Sequence, residues 1–124
     1  MNQLNETNAI ELLLESIPEI KQLYNEEINW WDGEFPGLHN IFGNVLNPYL
    51  TKLLSEDENT ELLKRIFDYI ENMATSDNKY VHNVLDVTIL EYLDDDKNIR
   101  ETSLKYMGTN TKEISKKIDR RLGR

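Results

Sequence analysis

Cysteine is absent from the 124 residues. That absence excludes a disulfide framework, a thiolate metal site and a thiol nucleophile together, and it fits a reducing, cytoplasmic setting. Long apolar runs are absent too. None approaches the ~20 residues of a membrane span, and the opening Met1-Asn2-Gln3-Leu4-Asn5-Glu6 has no basic region ahead of an apolar one. Neither export nor membrane insertion is expected. Glycine and proline are scarce, 5 and 3, and they form no GxxxxGK[ST] phosphate loop, no GxGxxG turn and no GxSxG elbow. Nucleotide and acyl-transfer chemistry therefore has no motif to rest on. The 2 histidines, His39 and His82, stand apart in sequence and outside any HExxH spacing, so no metal centre is expected. His82 and Asp86 fall four apart and read as an exposed helix pair rather than an acid–base dyad. Glu26-Glu27, Glu56-Asp57-Glu58 and Asp94-Asp95-Asp96 lack the alternate spacing and central glycine of a calcium loop, and helix capping accounts for the last two. No catalytic residue, cofactor or metal is assigned, and the chain is not read as an enzyme.

What the sequence does contain is charge, unevenly divided. Residues 1–96 hold 5 Lys/Arg against 20 Asp/Glu, net −15, whereas residues 97–124 hold 9 against 3, net +6. An acidic body of this size repels nucleic acid. It attracts basic proteins, with steering that raises association rates by roughly one to three orders of magnitude at low salt. The bland alternative is a merely soluble coat. The C-terminal segment carries Lys112, Lys116, Lys117, Arg120, Arg121 and Arg124 opposite a thin apolar seam. It is expected to dock on the acidic body of its own chain or of a second copy, the latter giving a homodimer, with Arg120 and Arg121 favourably placed near a helix C-terminus.

Apolar periodicity is helical almost throughout. Ile10, Leu13, Leu14 and Ile17 make a first stripe that Thr7 or Asn8 could cap. Ser16-Ile17-Pro18-Glu19 reads as a capping box that starts a second, with Ile20, Leu23, Tyr24 and Ile28. From Leu38 to Leu54 the helical phase runs straight across Pro48, as one kinked helix or as two with Asn47 as cap. Residues 62–74 form the clearest amphipathic stripe, with Glu61 and Arg65 paired on its solvent side. Lys79 to Leu93 is apolar nearly all round, which places it in the middle of the fold; Val84 to Ile89 is β-branched enough to admit a strand, but its length and lack of alternation favour helix. Asp96 is placed to cap the next helix, Gly108 to end it in a C-cap, and Asn110 to Glu113 to open the last. The expectation is an all-α fold: one domain over 1–124, a compact bundle of six to eight helices arranged as antiparallel helical hairpins, with the acidic body at 1–96 and the basic helical segment at 97–124.

One segment breaks the pattern. Trp30-Trp31-Asp32-Gly33-Glu34-Phe35-Pro36-Gly37 is the only aromatic-rich loop, and large aromatics in irregular segments are enriched at interface hot spots. Burying a Trp is worth ~2 kcal/mol or more, so one of the two is expected inside and one outside. With the helix end before it, this loop gives the candidate partner-binding set: Glu26, Glu27, Trp30, Trp31, Asp32 and Glu34.

Glu11-Leu12-Leu13 with Ile17-Pro18-Glu19 and Tyr24, Glu34 through His39 with Phe42, Leu63 through Glu71, and Asn83 through Leu93 together resemble a family of small, acidic, helical bacterial proteins of uncharacterised function. The resemblance spans roughly residues 8–93 and rests mostly on core positions. In size and charge such chains are similar to the immunity proteins that bacteria keep beside secreted toxins. The leading expectation is a non-catalytic protein–protein interaction module, an immunity-type inhibitor of a basic bacterial toxin. The alternatives are a self-associating structural or regulatory bundle, and a small-ligand-binding or weakly enzymatic domain using His39 or His82.

Overall fold

The apolar stripes fold as helices throughout. A computed structural model describes residues 4–123, so Met1, Asn2 and Gln3 of the opening segment and Arg124 of the basic tail lie outside the described residues. Among the described residues there are seven helical stretches and no strand. They are α1 (Ala9–Ser16); α2, a 3-10 turn Pro18–Ile20 running into Lys21–Trp30; α3 (residues 38–56); α4 (Thr60–Ala74); α5 (residues 79–94); α6 (Lys97–Leu104); and α7 (Thr109–Arg121).

Local capping sets several of the starts. Asn59 Oδ1 accepts the Leu62 N–H at 3.3 Å, Asn78 Oδ1 the Val81 N–H at 3.0 Å, and Asp96 Oδ1 those of Asn98 and Ile99 at 2.9 and 3.1 Å. Two junctions differ from expectation. Pro18 opens α2, but the residue before it, Ile17, has no side chain that can cap, and Glu19 turns away to pair with Arg65 on α4 at 2.5 Å. The Glu61–Arg65 pair forms at 2.7 Å as part of this larger clamp, which also takes in the Ser16 carbonyl at 3.1 Å. Gly108 is not a left-handed C-cap. It is the N-cap residue of α7, extended at φ −75° and ψ 175°, and a Cβ there would fall 2.5 Å from the Glu71 carboxyl carbon.

Glu71, on α4, supplies the cap that α7 lacks locally. One carboxylate oxygen accepts the Asn110 N–H at 3.1 Å and Nδ2 at 2.8 Å; the other accepts the Thr111 N–H at 3.0 Å and its hydroxyl at 2.8 Å. Burial works to raise the pKa of this carboxyl, but the hydrogen bonds from Asn110 and Thr111 outweigh it and hold the group below its ordinary 4.5. A carboxyl with a depressed folded-state pKa contributes stability above its unfolded value and loses it as pH falls through the folded one. Glu71→Gln keeps one acceptor and loses the charge. It should cost about 1 kcal/mol near neutrality and flatten the loss of stability as pH falls through and below the ordinary 4.5 in urea unfolding. A variant profile parallel to wild type would remove Glu71 from the acid-sensitive groups.

A single cluster of buried apolar side chains runs from Leu4 to Ile118. In its middle lies α5, which buries Val81, Val84, Leu85, Ile89, Leu90 and Leu93 and contacts α3, α4 and α7. Both α3 and α5 widen into π-helix, over Phe42–Leu46 and Val84–Leu90; the Asn47 N–H bonds the Phe42 carbonyl and the Glu91 N–H bonds the Asp86 carbonyl, each five residues back. In α3 the wider turn lies just before Pro48, which lacks an N–H and whose ring crowds the carbonyl four residues back. The helix thus stays continuous. The β-branched stretch of α5 resolves as π-helix, and the two π segments pack against each other. At their contact Asn47 Nδ2 donates to the Thr88 carbonyl at 2.8 Å, and His39 Nδ1 lies 2.5 Å from the Thr88 hydroxyl.

The basic C-terminal segment docks on the acidic body of its own chain. Arg121 reaches Asp86 at 3.1 Å and Glu91 at 3.3 Å, Lys105 pairs with Asp57, and Arg100 pairs with Asp119 of α7 and lies 3.9 Å from Asp94 of α5.

Candidate interaction surface

Helix α2 ends in a way that fixes where its aromatics point. The Gly33 N–H returns to the Ile28 carbonyl at 2.9 Å and the Asp32 N–H to the Asn29 carbonyl at 3.0 Å, the paired bonds of a Schellman ending. Asp32 takes the left-handed position at φ 55°, which Asp tolerates better than most side chains, and Gly33 follows at φ 83°. This places Trp30 and Trp31 on the last turn of α2, and both face solvent: Trp30 is 78% exposed, Trp31 39% and Phe35 53%. The expectation that one Trp would fold inward is therefore corrected. The apolar side chains that follow the loop, Leu38, Ile41 and Phe42, are the ones the core encloses.

Glu27 organises the patch. One of its oxygens accepts the Trp31 indole N–H at 2.8 Å and the Asn44 side-chain amide at 2.8 Å, tying the end of α2 to α3 and holding the ring in place. Glu26, Trp30, Asp32 and Glu34 stand exposed around it. The six candidate residues thus lie within one short stretch of surface: three carboxylates beside two indoles, and a fourth carboxylate that orients one of them.

Asn44 also leads into a groove that the sequence did not reveal. Between α3 and α5 runs a cavity of about 400 Å³ whose lining includes Asn44, Asn47, Glu91, Tyr92, Asp95 and, past the end of α7, Leu122. Leu122 stands exposed just past the last turn of α7. Of the two readings of this stretch the structure takes the single helix, and Asn47 is 2% exposed inside its apolar stripe, a mismatch that is the signal that could have located the groove.

The histidines do not converge on carboxylates. His39 packs edge-on to Tyr80 at 5.7 Å, and His82 Nε2 donates to the Ser76 carbonyl at 2.5 Å while Asp86 is taken by Arg121. His82, Asp86 and Arg121 do line a second, larger cavity of about 690 Å³ between α5 and α7, together with Lys79 and Lys117. Among the described residues, no three His, Asp or Glu side chains gather as a metal site.

A family model for a domain of unknown function, DUF7674, matches residues 10–123. The chain belongs to this family. The DUF7674 match covers the basic segment as well as the acidic body, so the two form parts of one family unit, whereas the resemblance over residues 8–93 had left the tail out. That extent agrees with the tail docking through Arg100, Lys105 and Arg121. No curated protein and no solved structure matches this DUF7674 chain.

Proposed function

We propose that this chain is a non-catalytic protein–protein interaction module that receives a basic protein through the end of α2 and the loop after it. The most concrete form of this reading is a cytoplasmic, bacterial immunity-type inhibitor whose acidic face occludes the basic groove of a toxin such as a nuclease. The observation that carries it is the exposed Trp30, beside Trp31 held by Glu27 and bordered by Glu26, Asp32 and Glu34. Leaving the Trp30 indole in water forfeits burial energy, and carboxylates around an aromatic anchor are the complement of a basic contact surface. Self-association through the basic helix is weaker as a reading, because Arg100 and Arg121 already pair within the chain. Among the described residues no helix is long and apolar enough to cross a membrane, in keeping with a partner met away from one.

The test is capture of a basic protein at low salt, its identification, and measurement of its affinity for wild type and for Trp30→Ala, Trp31→Ala and Glu34→Ala, with helicity checked by circular dichroism. Each Trp variant is expected to weaken binding about tenfold, and Glu34→Ala chiefly to slow association and lessen its salt dependence. Affinity unchanged in all three folded variants would rule this surface out.

A further inference from the structure

Two ammonium groups line one cavity with no counter-charge of their own. The cavity of about 690 Å³ between α5 and α7 is walled by Lys79, His82 and Asp86 from one helix and by Lys117 and Arg121 from the other, with Asp77 just before α5. Its two carboxylates are taken: Asp86 holds Arg121 at 3.1 Å, and Asp77 is already engaged. Among the described residues neither Lys79 nor Lys117 has an ion pair, and both residues are exposed, so an incoming group can reach them. Like charges sharing one cavity raise its potential and repel each other, and a bound anion relieves both effects. Polar contacts are also left over. His82 commits Nε2 to the Ser76 carbonyl at 2.5 Å, which leaves Nδ1 without a partner among the described residues, and Arg121 spends Nη1 and Nη2 on Asp86 and Glu91 but not its Nε–H.

We propose that this cavity binds a phosphate group, as the free ion or on a small organic monoester. A phosphate carries close to two negative charges on oxygens spread around a tetrahedron, so it can meet cations that approach from two facing helices. A carboxylate offers one charge in one plane. The imidazole suits the same ligand, because Nδ1 accepts from a phosphate O–H when neutral and donates to a P–O⁻ when protonated. Ile114 and Ile118 also line the cavity and give an apolar wall for the organic part of an ester. The volume exceeds what a bare ion fills and falls within the ordinary range of small-molecule sites. The inference is independent of the interaction reading, since no residue of the Trp30 patch lines this cavity.

The experiment titrates phenyl phosphate into the full chain in phosphate-free buffer at low salt, followed by amide NMR. Inorganic phosphate, benzoate, and sodium chloride at matched ionic strength are run alongside. Saturable shifts are expected at His82, Asn83 and Lys117, with benzoate at least about fivefold weaker. Lys79→Gln and Lys117→Gln, both exposed changes, should each weaken binding about threefold. Lys112→Gln, equally exposed on α7 but outside the cavity, should leave it unchanged. Inorganic phosphate as tight as phenyl phosphate assigns the site to the free ion, and tighter phenyl phosphate assigns it to an ester resting on Ile114; either result upholds a phosphate site. Benzoate as tight as phenyl phosphate, shifts that chloride reproduces, shifts that bypass His82 and Lys117, no saturation, or an equal loss in Lys112→Gln would overturn the proposal.

Discussion

Replacing Arg100 with Met is expected to destabilise the chain by about 3 kcal/mol, because two buried carboxylates lose the cation they share. Arg100 pairs with Asp119 and lies 3.9 Å from Asp94, whose side chain is wholly enclosed; Ser115 adds a hydrogen bond to Asp94 at 3.4 Å. The three charged residues come from α5, α6 and α7, so the cluster joins the basic segment to the acidic body from within. Arg100 is itself about a third exposed, which places the cost at the lower end of the range for breaking a buried pair. Arg100→Met/Asp119→Leu removes one of the stranded carboxylates and should recover part of the loss. Urea unfolding of the two variants checks both statements. A loss under about 1 kcal/mol in the single variant would mean that water reaches these carboxylates and that the cluster behaves as a surface pair.

Phe42→Ala should cost more, about 3–5 kcal/mol, the combined loss of ring burial and of the space left behind. Phe42 is fully enclosed, stacks on Tyr69 at a centroid distance of 6.2 Å, and begins the π segment of α3. Tyr69 cannot simply move into the gap, since its hydroxyl is fixed to the Ala9 carbonyl at 2.6 Å and burial raises its pKa so far that it remains a neutral donor. The cavity should therefore stay largely open. Because Phe42 lies near the π–π contact, the variant carries a second expected readout: shifts of the Asn47 and Thr88 amide resonances in native buffer. A loss under about 2 kcal/mol, with those resonances unmoved, would show that the site repacks without cost to the α3–α5 contact.

These two results bear on function through rigidity. The groove and the aromatic patch both rest on α3, the first through Asn47 and the second through Asn44 and Glu27. A surface held in this way loses little freedom on binding, which favours affinity for a given contact area. The charge division has the same root. The basic segment uses Arg100, Lys105 and Arg121 against the chain's own carboxylates, and none of these pairs involves Glu26, Asp32 or Glu34. Among the described residues, the acidic charge beside Trp30 is thus not paired with the tail.

The sequence by itself determined the all-α class, the helix count within its range, the polar turns, and the cap made by Asp96. All of these depend on periodicity and on hydrogen bonds spanning two or three residues, which a linear reading can follow. It also located the aromatic loop, because turn residues and tryptophans are local marks. The tertiary structure alone decided the rest. Glu71 caps α7 from about forty residues away, Glu19 leaves a capping box for Arg65 across a helix interface, and Asn47 is buried because Thr88 of another helix offers it a carbonyl. The exposure of both tryptophans was equally out of reach, since only the packed fold shows which large side chains the interior encloses. Local hydrogen bonding writes itself into spacing along the chain; competition for interior space and for distant partners is resolved only when the helices meet.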